Sequence, residues 1–99
     1  MAILALFTGS INRDGYEALR KEIGWETNPA PGGMFHVAAF DESGAIHVAD
    51  VWESAEAMNR FVEQQLMPAF RKLGLAPPEV AVYPVHNINA FSALDGYRV

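Results

Sequence analysis

Three strand-like stretches of this sequence fail to alternate. Ala2–Phe7, Phe35–Phe40 and Val80–Val85 are apolar at both odd and even positions. Successive side chains of a strand point to opposite faces, so a sheet made from such stretches is apolar on both sides. Both sides then need cover. With 99 residues, 51% of them hydrophobic, the chain has material for one core and none for a second domain. Cover for the second side has to come from outside the chain.

The periodicity between the strands predicts the remaining elements. Met1–Phe7 has seven apolar residues, too few to span a bilayer, and no basic flank of the kind a signal peptide carries, so it reads as a buried strand. Tyr16, Leu19 and Ile23 recur at helical spacing before Gly24, which predicts a first helix over Arg13–Ile23. Asn28–Gly33 holds two prolines and two glycines and is a loop. A hairpin follows, with arms Met34–Phe40 and Ala45–Trp52 around Asp41-Glu42-Ser43-Gly44. Ser54 is an N-cap, and Met58, Phe61, Val62, Leu66, Phe70 and Leu73 form the stripe of a second helix of about 20 residues, ending at Gly74. Pro68 lies inside it and should free the carbonyl of Gln64 and kink the helix. After Pro77-Pro78, Glu79–Val85 is a strand. Its Pro84 cannot donate to a central ladder, which places the strand at a sheet edge.

Strand, helix, strand, strand, helix, strand is the split βαβ order of ferredoxin-like α+β domains: a four-stranded antiparallel sheet with two helices on one face. Residues 1–86 make this domain. Residues 87–99, with Ile88, Phe91, Leu94 and Tyr97 as isolated anchors, form a tail expected to lie on the surface or on a partner subunit. The helices shelter one sheet face. A second copy, related by a two-fold axis and packed sheet to sheet, is the economical cover for the other, so a homodimer is expected.

Charge and composition remove several function classes. Twelve acidic residues against seven basic ones give a net charge of -5, with no concentrated Lys/Arg run to hold nucleic acid or a membrane surface. The absence of cysteine excludes thiol chemistry and disulfides and fits a reducing cytoplasm. No phosphate-cradling glycine loop, dinucleotide fingerprint or serine-hydrolase elbow occurs, and no pair of histidines has metal-ligand spacing. Neither a metal nor a cofactor is expected.

The hairpin turn selects the residues that carry chemistry. Asp at its first position and Gly at its fourth suit a type I turn closed by a left-handed glycine, a three-residue loop. In that register Asp41 opposes Ala45 and His36 stands directly across from Asp50 on one face. With a four-residue loop the two part to opposite faces. Their shared face also carries Met34, Ala38, Phe40, Ile46, Val48 and Trp52. A carboxylate in such surroundings needs a partner, and His36 can be that partner, with Asp50 fixing the ring's tautomer and leaving its other nitrogen to move a proton. A pair that merely pins strand register is the structural alternative. Trp52 is a candidate wall for a planar ligand and Tyr83 a candidate proton donor, while Met34 and Phe61 complete the lining. His86, beside Asn87, can close a pocket or bond a loop, and His47 should face the dimer side.

The stretch Asp50-Val-Trp52-Glu-Ser-Ala-Glu-Ala57-Met-Asn-Arg-Phe61, preceded by Pro31-Gly32-Gly33-Met34, resembles the signature of antibiotic biosynthesis monooxygenase-like proteins of the dimeric α/β barrel superfamily. The resemblance implies that the Asp50 and Trp52 face lies under the helices, where a pocket forms. Many such proteins carry a histidine on helix two near the position held here by Phe61, and haem-binding relatives take their iron ligand from a helical histidine, whereas His36, His47 and His86 all fall on or beside strands. By resemblance, the chain is expected to be a cofactor-free monooxygenase, or an acid–base enzyme of the cyclase kind, acting on a small apolar, aromatic or polyketide-like molecule. The alternative from another class is a non-catalytic homodimer that binds a small molecule or serves as an accessory subunit.

Overall fold

Residues 1–99 are described by a computed structural model. The chain runs β1 (Ile3–Gly9), α1 (Arg13–Ile23), β2 (Gly33–Phe40), β3 (Ile46–Trp52), α2 (Ala55–Phe61), a π turn (Val62–Leu66), α3 (Met67–Leu73), β4 (Glu79–Pro84) and a final 3-10 segment (Ser92–Tyr97). The strands form one sheet in the order β2-β3-β1-β4, every neighbouring pair antiparallel. This is the ferredoxin-like α+β arrangement expected from the element order, and β4 with its Pro84 is an edge strand.

Local chemistry sets the helix ends. The Asn12 side chain accepts the Gly15 N–H at 2.9 Å and opens α1, and Gly24, at φ 70°, closes it by donating to the Arg20 carbonyl. The Ser54 hydroxyl accepts the Ala57 N–H at 3.1 Å and opens α2. Helical structure then continues to Leu73 and Gly74 as the stripe predicted, but its irregularity differs from the expected break at Pro68. It falls one turn earlier, as the five-residue π turn, in which the Met67 N–H reaches the Val62 carbonyl. Pro68 thereby sits in the first turn of α3, where a missing N–H costs least.

The core lies between the helices and one sheet face. Ile11, Tyr16 and Leu19 from the α1 region meet Ile46 of β3 and Leu66, Ala69 and Phe70. A smaller cluster joins Ile3 and Ala5 of β1 to Trp52 and Met58. The opposite face has no helix. Leu6, Phe35, Val37 and Tyr83 stand there between 38% and 52% exposed, the bare apolar surface that the missing alternation implied.

Candidate functional site

The β2–β3 hairpin closes through a three-residue loop. Asp41 donates its N–H to the Ala45 carbonyl at 3.0 Å, and Gly44, at φ 86°, donates to the Asp41 carbonyl at 2.9 Å. The Asp41 carboxylate locks the turn by accepting from the Ser43 hydroxyl and N–H, the Ala45 N–H and His47 Nε2. These bonds, led by the Ser43 hydroxyl and then His47, hold the Asp41 carboxyl well below its ordinary range. The resulting register pairs His36 with Asp50 and runs unbroken from Phe35 to Phe40. Only at Gly33/Phe35 does it shift, leaving Met34 in a bulge.

His36 and Asp50 therefore meet on the helix-covered face. His36 Nδ1 lies 2.6 Å from Asp50 Oδ1, and the Trp52 indole N–H donates to Asp50 Oδ2 at 3.3 Å. Asp50 is 8% exposed, yet neither of its oxygens is orphaned. A carboxylate can only accept, so Nδ1 carries the hydrogen, and in the neutral ring Nε2 is the acceptor. Its partner is the Tyr16 hydroxyl, at 2.7 Å. Burial pushes the Tyr16 hydroxyl up to about 12, with nearby Arg20 opposing and Glu26, Glu17 and Asp50 adding to the rise. Tyr16, His36, Asp50 and Trp52 form one hydrogen-bonded chain across the sheet–helix space.

That space is a cavity of about 800 Å³. The chain Tyr16–His36–Asp50–Trp52 lines it, with Met58, Phe61 and Leu66 from the helical side. Met34 lines it from the bulge, and the Phe61 ring lies 5.4 Å from the Trp52 ring. Leu94, Tyr97, Arg98 and Val99 bring the C-terminal tail to the same cavity.

Two residues singled out in the sequence stand elsewhere. Tyr83 pairs with Leu4 on the helix-free face, because the β1–β4 register turns Val80, Val82 and Pro84, not Tyr83, to the helix side. His86 lies exposed beyond the end of β4 and is absent from the cavity wall. Both are corrections to the expected lining. His47 is on the helix-free face and bonds Asp41 at 2.8 Å.

Among the cavity residues not singled out in the sequence are two aromatic neighbours of His36, Tyr16 and Trp25. Tyr16 read only as part of a core stripe, although a buried tyrosine hydroxyl needs a partner and so signals a polar group opposite. Trp25 follows the helix-ending Gly24; its ring is 5.3 Å from His36 and 5.9 Å from Tyr16.

A four-stranded antiparallel sheet in the order β2-β3-β1-β4 with helices on one face is the ferredoxin-like fold, and it matches solved structures of antibiotic biosynthesis monooxygenase-like proteins. Among solved structures, SnoaB, a cofactor-independent oxygenase from Streptomyces nogalater, superposes with a TM-score of 0.61 at 16% identity, over 88% of this chain and 93% of that one. A Chloroflexus aurantiacus J-10-fl protein assigned provisionally to the antibiotic biosynthesis monooxygenases gives 0.63 at 19% identity, over 90% and 98%. A conserved protein from Methanosarcina mazei Go1 gives 0.63 at 14% identity, over 84% and 91%. Neither a family model nor a curated protein matches the sequence.

Proposed function

We propose that this protein is a cofactor-independent, monooxygenase-like acid–base enzyme acting on a small apolar or aromatic molecule held between sheet and helices. The observation that carries the reading is the hydrogen-bonded chain Tyr16–His36–Asp50 on the wall of an otherwise largely apolar cavity. Asp50 fixes the imidazole with Nδ1 protonated and stabilises the imidazolium that forms when Nε2 takes a proton. His36 is the base. The Tyr16 hydroxyl, bonded to that nitrogen, either gives way to a substrate hydroxyl or carries the proton between substrate and ring. Trp52 and Phe61 form the wall against which a planar ring lies, and Met34 borders it. Likeness in fold to a cofactor-independent oxygenase supports the reaction class, since removing a proton from a phenol or an activated C–H is the step such chemistry asks of a protein.

The working unit is a homodimer. A second copy packed on the helix-free face removes Leu6, Phe35, Val37 and Tyr83 from water, and a two-fold axis gives both copies the same cover. One observation favours the non-catalytic alternative: both His36 nitrogens already have protein partners, as in a pair that pins a fold.

The test uses two reactions of aromatic probes. Solvent-deuterium exchange at the activated carbon of 2-tetralone, read by NMR, and oxygen uptake with a dihydroxynaphthalene are compared for the wild type and His36→Asn. Acceleration by the wild type that falls about 100-fold or more in the variant, with the fold intact, is the expected result. Equal rates would retire the catalytic reading and leave the binding one.

A further inference from the structure

Trp25 has no part in the proton-transfer argument, yet the fold goes to some length to hold it over His36. Gly24 ends α1 in the left-handed conformation, and its carbonyl accepts the N–H groups of Thr27 and Asn28 at 3.2 and 2.9 Å, winding the chain into a tight turn. That turn throws Trp25 back onto β2. Its ring lies 5.3 Å from His36 at 57° and 5.9 Å from Tyr16 at 50°, tilted against both. The next residue, Glu26, is anchored to the Arg20 guanidinium by both of its oxygens, and Arg20 is in turn held by Glu17 at 2.9 Å. Trp25 and Glu26 both line the cavity.

The two tryptophans of the chain thus flank the polar group. Trp52 is tied to Asp50 through its N–H, whereas Trp25 leans on His36 from a loop. Charge is uneven around them. Glu26 and Asp50 face the cavity with Glu17 behind Arg20, while the one arginine on the cavity wall, Arg98, is already paired with Asp95 at 2.8 Å. Arg20, shared between Glu17 and Glu26, leaves that cluster one net negative charge beside Trp25, and Arg98 is not free to offset it.

We propose that Trp25 is a specificity-determining residue: it seats a flat, uncharged aromatic ligand at the Tyr16–His36 end of the cavity, while the Glu17–Arg20–Glu26 cluster, with two carboxylates to one guanidinium, holds it in place and disfavours anions. The proposal takes from the preceding section only the identity of the site. Aromatic area, not formal charge, supplies the attraction, because a tilted indole stacked on a flat ring adds directional contact to ordinary burial.

Isothermal titration calorimetry with 2-naphthol and 2-naphthoate tests this, since the two share a ring system and differ in charge at neutral pH. The wild type is expected to bind the naphthol at least about tenfold more tightly than the naphthoate. Trp25→Ala should lose about tenfold in naphthol affinity and Trp25→Phe distinctly less. Glu26→Gln should weaken the naphthol and strengthen the naphthoate, narrowing the gap between them, an effect that a purely structural role for Glu26 does not produce. Trp25→Phe and Glu26→Gln keep the test decisive if the alanine variant does not fold. No naphthol binding by the wild type, naphthoate binding as tightly, or unchanged affinity in both Trp25→Phe and a folded Trp25→Ala would each overturn the proposal. The His36→Asn exchange assay separates this from the catalytic reading. Loss of exchange there with Trp25-independent binding sinks only the tryptophan, and the reverse pattern sinks only the base.

Discussion

Tyr16→Phe removes one oxygen from the interior, and the structure fixes how stability should respond to pH. The hydroxyl is raised from 10.0 to about 12, chiefly by burial. Between those values the unfolded chain gives up the proton while the folded chain keeps it, so the unfolded state holds fewer protons and stability falls as pH rises. The stabilisation from the neutral hydroxyl is complete below pH 10 and is lost progressively toward pH 12. At about 1.4 kcal/mol per unit, the loss approaches roughly 2–3 kcal/mol in the wild type, and the phenylalanine variant has no such component. Near neutral pH the variant instead lacks the 2.7 Å bond to His36, a cost of about 1 kcal/mol. The two stability curves must therefore cross. Urea denaturation from about pH 8 to about pH 12 should find the wild type ahead by about 1 kcal/mol at the low end and behind by about 1–2 kcal/mol at the high end. Other groups that titrate there are common to both proteins and drop out of the difference. Parallel curves would refute the reasoning, because they would mean that Tyr16 ionises in the folded protein as it does in the unfolded one.

Two glycines test the backbone. At Gly32, φ is 88° and an added Cβ would lie 2.6 Å from Ala57 Cβ, so Gly32→Ala should destabilise by about 2 kcal/mol or more. Gly44→Ala, at φ 86° with nothing within 4 Å, should cost only the conformational part, about 1 kcal/mol; equal losses in thermal melts would contradict the clash. Asp50→Asn leaves the Nδ1–H of His36 without its anionic acceptor and should cost about 2 kcal/mol by urea denaturation, less than the roughly 3–5 of fully buried pairs because a third of the His36 side chain meets solvent. The wild type should sediment as a dimer and Val37→Lys, on the helix-free face, as monomers; a dimer unchanged by the substitution would contradict pairing through that face.

Much of the site was legible because it is built by a local device. The Asp41–Gly44 turn fixes the hairpin register through residues adjacent in sequence, and that register alone brings His36 to Asp50. Non-alternating strands likewise disclosed the bare sheet face, since strand parity is a local property. Contacts that depend on how distant elements dock were not readable. Tyr16 reaches His36 only because α1 lies across the sheet, and a helical stripe fixes a buried face without naming the strand residue beneath it. Tyr83 could be named as a candidate but not given a face for the same reason, as the β1–β4 register is set by pairing between the first and last strands, with no turn to count from. Pro68 announced an irregular helix, but a proline can be relieved by a wide turn before it as well as by a bend, and Leu66 reaches the cavity from the π turn that formed.

Nitrogen-15 NMR of the His36 imidazole during titration with 2-naphthol reaches the central claim most directly. If His36 is a base poised toward the cavity, Nδ1 stays protonated against Asp50 throughout while Nε2 shifts as the added hydroxyl competes with Tyr16. An Nε2 resonance that ignores the ligand while the ligand binds would show the ring to be a structural pin, with its chemistry closed to the cavity.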